Sequence, residues 1–395
     1  MLFLFENFVL DASRRELRRK GHLVPVEPQV FDLLLHLLNN RDRVVSKDDL
    51  IANVWNGRIV SDSTLSTRIN AARRALGDSG EEQRLIRTVA RKGLRFVGSV
   101  REAEMPVDAS SPLPAVAAKQ EISFCKTPDG VNLALAAVGS GPPLVKIANW
   151  LTHLEYDWES PIWSPLLQFL AERWRLIRYD GRGNGLADRD VADISFDAFV
   201  RDLDTVVEAV QLKQAAFLGI SQGAAVAIAY AVRHPERVSK LILYGGYATG
   251  RNKRGSPAEA DMAKAFLAIM RHGWGDEHSA FMRAFSSVFL PNGSPHQIKW
   301  LVDLQRITTS AENAVRIRNA CDNIDVTGLL PKVQVPTLVI HCRHDNVASI
   351  DQGLLMARSI PHAKLVTLES ENHVVLAHEP AWPRLIAEIE SFLSA

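Results

Sequence analysis

The chain has 395 residues, 47% of them hydrophobic and 23% charged, with 46 Lys and Arg against 45 Asp and Glu. That balance excludes long disorder and collagen-like repeats, and the length suits two or three domains. The near-neutral total hides an asymmetry: residues 1–100 hold 17 basic against 12 acidic residues and the remainder 29 against 33, so a basic first quarter precedes an acidic body, a hint that the first part meets a polyanion.

At the start, MLFLFENFVL is broken by Glu6 and lacks the basic region and cleavage site of a signal peptide. The longest apolar run, 224–232, is half of the roughly 18 residues a membrane span needs. FLFENFVLD and RELRRKGHLVPV alternate like strands, and QVFDLLLHLLNN has helical spacing. Ser46 with Asp49 three residues on predicts a capped second helix. A third helix follows from about Asp62 to Leu76. Its apolar stripe is Leu65, Ile69, Ala72 and Leu76; Thr67, Asn70 and Arg74 fall on another side, flanked by Arg68 and Arg73. Hydroxyl, amide and guanidinium groups are the ones that bond base edges and phosphates. LIRTVARKGLRFVG then predicts a hairpin with Arg91-Lys92-Gly93 at its tip.

In this order, LDASRRELRRKG, VFDLLLHLL, VVSKDDLIANVW, RINAARRALGD and IRTVARKGLRF resemble the winged helix-turn-helix domain of OmpR-type and ToxR-type regulators. The resemblance runs from Phe3 to Val97, nearly the whole of a domain at residues 1–100, and implies double-stranded DNA as partner. Helix 62–76 would be the recognition helix, and Arg91 and Lys92 would lie on the wing. Regulators of this type usually read paired half-sites, so a homodimer on DNA is expected.

The segment 101–120, with three prolines and five alanines, reads as a linker. From residue 121 strands and helices alternate to the end, which predicts a mostly parallel sheet covered on both faces. Gly219-Ile220-Ser221-Gln222-Gly223 is G-x-S-x-G between a predicted strand and helix, where flanking glycines let backbone pass close to a nucleophile. Serine needs a base and the base an orienting acid; Asp345 follows the strand TLVIHCRH, and His373 follows KLVTLESEN. His341, His344, His362 and His378 are rival bases, but His373 has the fitting place and order. The glycine-rich DGRGNG at 180–185 lacks the ending of a P-loop and reads as a structural turn.

The order Ser221, Asp345, His373, with GISQGA, PTLVIHCRHD and ESENHVVLAHEP, resembles the α/β-hydrolase superfamily over residues 121–395. The resemblance implies a catalytic triad, a helical cap at about 249–330 and an oxyanion hole. Where many members have a His-Gly pair, this chain has Asn149-Trp150-Leu151, so backbone N–H groups of Trp150 and Gln222 are the expected hole. His153, Tyr156, Trp158 and Trp163 follow as either an aromatic wall over Ser221 or ordinary core.

The fold class is thus an α+β winged-helix domain followed by an α/β-hydrolase fold. The expected protein is a cytoplasmic DNA-binding transcriptional regulator with a small apolar ester or lactone as ligand or substrate. No metal, cofactor or membrane is expected to take part. A metabolic serine esterase with an accessory DNA-binding domain, and an inert sensor or interaction protein in a hydrolase shell, stay open as alternatives.

Overall fold

The computed structural model describes residues 2–11, 16–19, 22–24, 26–54, 62–89, 92–103, 120–255, 257–275 and 279–395. The chain divides into two units, Met1–Pro114 and Ala115–Ala395.

In the first unit, alternating apolar residues produce the antiparallel strands β1 (Leu2–Phe5), β2 (Phe8–Asp11), β3 (Glu16–Arg19) and β4 (His22–Val24). Phe3, Phe5, Phe8, Leu10 and Leu17 all point into the core. Three helices follow: α1 (Pro28–Asn39), α2 (Lys47–Val54) and α3 (Asp62–Ala75). The α2 start is the expected reciprocal cap, with the Asp49 amide donating to Ser46 Oγ at 3.0 Å and the Ser46 amide to Asp49 Oδ2 at 3.2 Å. The hairpin β5 (Ile86–Val89) and β6 (Gly93–Phe96) completes the wing. Val45, ahead of α2, and Leu94 of β6 exchange backbone hydrogen bonds at 2.8 Å. Gly93, at φ 137°, allows that approach; a Cβ there would lie 1.9 Å from the Val45 carbonyl oxygen.

The stretch read as linker begins differently. Arg101–Ala103 forms β7, an edge strand antiparallel to β1, giving the sheet order β4-β3-β2-β1-β7. An edge strand needs only backbone pairing, so a three-residue polar run carries no periodicity to announce it. Residues 104–119 of that stretch lie outside the described residues.

The second unit is built on an eight-stranded sheet. The strands are β8 (Glu121–Lys126), β9 (Asn132–Val138), β10 (Pro143–Lys146), β11 (Arg175–Asp180), β12 (Ala215–Ile220), β13 (Val238–Tyr244), β14 (Thr337–Cys342) and β15 (Lys364–Leu368). Their spatial order is β15-β14-β13-β12-β10-β11-β9-β8, parallel from β11 to β15 and antiparallel at β8 and β9. Central strands buried on both faces carry continuous apolar runs. Alternate residues feed two cores: Val145, Phe217 and Leu241 on one face, Leu144, Leu218 and Ile242 on the other.

The helices joining these strands are α4 (Leu154–Trp158), α5 (Ser164–Arg173), α6 (Phe196–Ala209) and α7 (Gly223–Arg233). Between β13 and β14 lie four more, α8 (Pro257–Gly273), α9 (Ala280–Phe289), α10 (Pro295–Thr308) and α11 (Ala311–Asp322). The last two, α12 (Ile350–Ser359) and α13 (Trp382–Ser394), flank β15 in sequence.

The DGRGNG loop after β11 is locked by charge rather than open to phosphate. Arg182 is fully buried and donates to Asp202 on α6 at 2.7 and 2.9 Å and to Asp129 at 2.8 and 3.2 Å. Removing the cation strands a buried carboxylate. Arg182→Met is therefore expected to destabilise the second unit by about 3–5 kcal/mol, read as a lowered unfolding midpoint in denaturant.

Candidate functional site

Ser221 stands on the turn between β12 and α7 with φ 55°, a left-handed conformation rare for a residue with a side chain. The turn is this tight because both flanking glycines are in close contact with backbone. A Cβ on Gly219 would lie 2.6 Å from the Gly223 oxygen, and one on Gly223 would lie 3.1 Å from the Ala148 oxygen. The Ser221 amide donates to the Tyr244 carbonyl of β13 at 3.0 Å, which ties the turn to the next strand. Ser221 itself is buried.

Asp345 follows β14 and His373 follows β15, so the loops after adjacent parallel strands bring them together. His373 Nδ1 lies 2.7 Å from Asp345 Oδ2, while Asp345 Oδ1 accepts the Val347 and Ala348 amides at 2.8 and 3.2 Å. Burial works against the Asp345 charge. His373, the Val347 amide and His341 outweigh it and hold the carboxyl below its ordinary range. Buried His373 Nε2 has no hydrogen-bond partner among the described residues. His341 is also buried, but its Nε2 lies 2.8 Å from the Ala348 oxygen and 3.8 Å from Asp345.

Two small cavities meet at Ser221. One, of about 30 Å³, is apolar and is lined by Trp163, Phe289, Leu301, Leu304 and His373. The other, of about 10 Å³, is lined by Gln222, Tyr247, Arg251, Arg254 and Arg318. Trp150 lines both. Each holds little more than a water molecule. The backbone links the helical layer α8–α11 to the histidine, since the His373 amide donates to the Phe289 oxygen at the end of α9 at 2.8 Å. Aromatic contacts run from Trp150 to Phe285 at 6.1 Å, to Phe289 at 5.1 Å and to His373 at 5.8 Å between centroids.

The aromatic segment after Asn149 divides between wall and core. Trp150 and Trp163 face the apolar cavity with Ser221. Tyr156 stacks on Trp300 at 4.4 Å, Trp158 lies against Arg178, and His153 caps α4 by accepting the Tyr156 amide. The loop bearing Asn149 is held from below, where buried Lys146 donates from Nζ to Asn149 Oδ1 at 2.6 Å.

In the first unit, α3 exposes Thr67, Asn70 and Arg74 along one side and buries Leu65, Ala72 and Leu76 on the other. Arg73, grouped with the DNA-facing residues by sequence, belongs to the interior instead. It donates to the Ile86 oxygen at 3.0 Å and to Thr88 Oγ1 at 2.8 Å, bracing α3 against the wing. At position 73 the helix has turned away from the Asn70–Arg74 side, a neighbour in sequence but not in azimuth. Arg68 also leaves the exposed side and pairs with Glu27 at the start of α1. Lys92 is exposed on the wing, whereas Arg91 lies outside the described residues. A groove of about 710 Å³ joins Asn70 and Lys92 to Ser66 of α3 and to Ser46 and Lys47 at the α2 start. Sequence reasoning noted Ser46 only as a cap, and no spacing rule linked it to α3.

Among the described residues no group of His, Cys, Asp and Glu could hold a metal ion, and no helix is long and apolar enough to cross a membrane. Cys321 and Cys342 are buried, which pushes both thiols up to about 12 and leaves Ser221 as the nucleophile type at the site.

Comparison with known proteins matches residues 156–380 to a family described as the alpha/beta hydrolase fold, and residues 21–96 to one described as transcriptional regulatory protein, C terminal. The AB hydrolase superfamily protein YisY of Bacillus subtilis is 28% identical over 260 residues, spanning 63% of this chain and 91% of that protein. The 3-oxoadipate enol-lactonase 2 of Acinetobacter baylyi is 27% identical, spanning 55% of this chain and 79% of its own. The solved esterase of Exiguobacterium antarcticum shares the fold with a TM-score of 0.59 and 23% identity, over 69% of this chain and 99% of that one.

The division between Arg73 and Arg74 is open to test. Arg73→Ala should destabilise the first unit by about 2–3 kcal/mol through lost charged hydrogen bonds, whereas Arg74→Ala should change stability by less than about 0.5 kcal/mol. Denaturant unfolding of the full chain, followed by hydrogen exchange in α3, separates the two.

Proposed function

We propose that this chain, which belongs to the α/β hydrolase family and carries an OmpR-type DNA-binding domain ahead of that fold, is a one-component transcriptional regulator. Its hydrolase-fold domain binds and cleaves a small ester or lactone, and that event alters DNA occupancy. The observation that carries the chemistry is the buried Asp345–His373 pair, whose unpartnered Nε2 borders the cavity that holds Ser221. An esterase and an enol-lactonase among the similar proteins support an acyl-oxygen bond as the target.

In this reading His373 takes the Ser221 proton at Nε2 while Asp345 holds Nδ1–H and the correct tautomer. Ser221 Oγ adds to the carbonyl carbon, and the amides of Gln222 and Trp150 hold the resulting oxyanion. The α7 N-terminus behind Gln222 favours the same negative charge. The carbon–oxygen bond then breaks, His373 returns the proton to the leaving alkoxide, and water releases the acyl group by the same route. On the DNA side, Thr67, Asn70 and Arg74 of α3 would read the major groove. Lys92 and the α2 start would take phosphate, with a homodimer covering paired half-sites.

Ser221→Ala should abolish cleavage of a short activated ester and labelling by a serine-directed probe while leaving DNA affinity intact. Asp345→Asn should lower kcat by about 10⁴-fold. An equal background rate in wild type and Ser221→Ala, with no labelling, ends the hydrolase reading. Fluorescence anisotropy on promoter duplexes should give steeply salt-dependent affinity, and Lys92→Ala should reduce the logarithmic salt slope by about 1. No affinity for any promoter duplex at low salt ends the regulator reading.

A further inference from the structure

The two cavities at Ser221 differ in charge. The one bordered by His373 is walled by Trp163, Leu301 and Leu304 and has no ionic side chain besides the imidazole. The other gathers Arg251, Arg254 and Arg318 around a single carboxylate, Asp322. That carboxylate is already committed, since Arg318 donates to both its oxygens at 3.0 and 2.7 Å. Arg254 donates from Nε to the Thr249 carbonyl at 3.1 Å and meets no carboxylate among the described residues. Among the described residues Arg251 has the Phe266 ring beneath it, 5.9 Å away, and the same ring lies 5.8 Å from Arg318. Among the described residues, neither Arg251 nor Arg254 therefore has a hydrogen-bonded carboxylate beside Ser221; Asp322, paired with Arg318, acts on Arg251 only through space. Burial and the neighbouring Arg318 push Arg251 down to about 10. A mostly buried cation with no hydrogen-bonded carboxylate among the described residues is costly to keep, and a guanidinium is the group whose planar fork matches a carboxylate.

We propose that the substrate carries a free carboxylate on its acyl side, held by Arg251 and Arg254: a monoester of a dicarboxylic acid, or a lactone bearing a carboxylate, rather than a wholly apolar ester. This rests on the hydrolase reading above and names the substrate class for it. His373 fixes the orientation. The leaving alkoxide must take its proton from Nε2, so the alcohol part occupies the apolar cavity and the acyl chain extends past Ser221 toward the arginines. The Ser221 Oγ–carbon bond forms as the ester carbon–oxygen bond breaks. Water then releases a dicarboxylate, with one proton going to the alcohol and one to solvent.

The test compares ethanol release from monoethyl adipate and from ethyl hexanoate by the full chain. Wild type should favour the monoanion at least tenfold in kcat/KM. Arg251→Met should cut that preference at least tenfold, mostly through KM, and Arg251→Lys should restore part of it. A wild-type preference at or below one, or an equal loss on both esters in Arg251→Met, overturns the proposal. If neither ester is cleaved, the hydrolase reading is what fails, and the subsite is read separately by calorimetry of adipate on the Ser221→Ala protein. Saturable binding, weakened at least tenfold by adding Arg251→Met, keeps the anion site; no binding to Ser221→Ala removes it.

Discussion

A serine forced to φ 55° is the constraint around which the second unit is arranged. Such a backbone persists only where its surroundings over-determine it. Here β12 ends, α7 begins within two residues, Gly219 and Gly223 allow backbone contact, and the Ser221 amide is tied to β13. The small residues at the α7 start follow from the same closeness: Ala224 lies so near Gly246 that a Cβ on the glycine would stand 2.2 Å from the alanine methyl. Parallel order then does the rest. The loops after β14 and β15 leave the same edge of the sheet as the Ser221 turn, so acid and imidazole arrive beside it without any local signal linking them.

The helical layer between β13 and β14 adds closure and charge. Its aromatic residues shut the apolar side over His373, and its arginines come from two separate places, the turn before α8 and the buried face of α11. The His373 amide is bonded to the end of α9, which ties this layer to the histidine loop.

The first unit follows a different economy. A domain of this size has a small core, and one arginine is spent on holding it together. Arg73 crosses from α3 to the wing, and Gly93 lets the wing lie against Val45. Both fix the angle between the exposed side of α3 and Lys92.

Much of this architecture is legible in the chain alone. Alternation and helical spacing are local, so β1 to β6, α1 to α3 and the strand–helix repeat of the second unit were legible, as were the cap at Ser46 and the glycine-flanked turn at Ser221. What it could not carry was azimuth and long-range convergence. Arg73 and Arg74 are neighbours in the chain, yet about 100° of helical turn puts one in the core and one in solvent. The strand at Arg101–Ala103 exists because β1 has an unpaired edge, not because of its own residues. Arg251 and Arg318 are 67 positions apart, and only the folding of α8 and α11 against the sheet sets both guanidiniums beside Ser221. Charge placed by tertiary contact has no period in sequence, so the glycine-flanked serine turn could be read from the chain, while the arginines grouped beside it appear only in the fold.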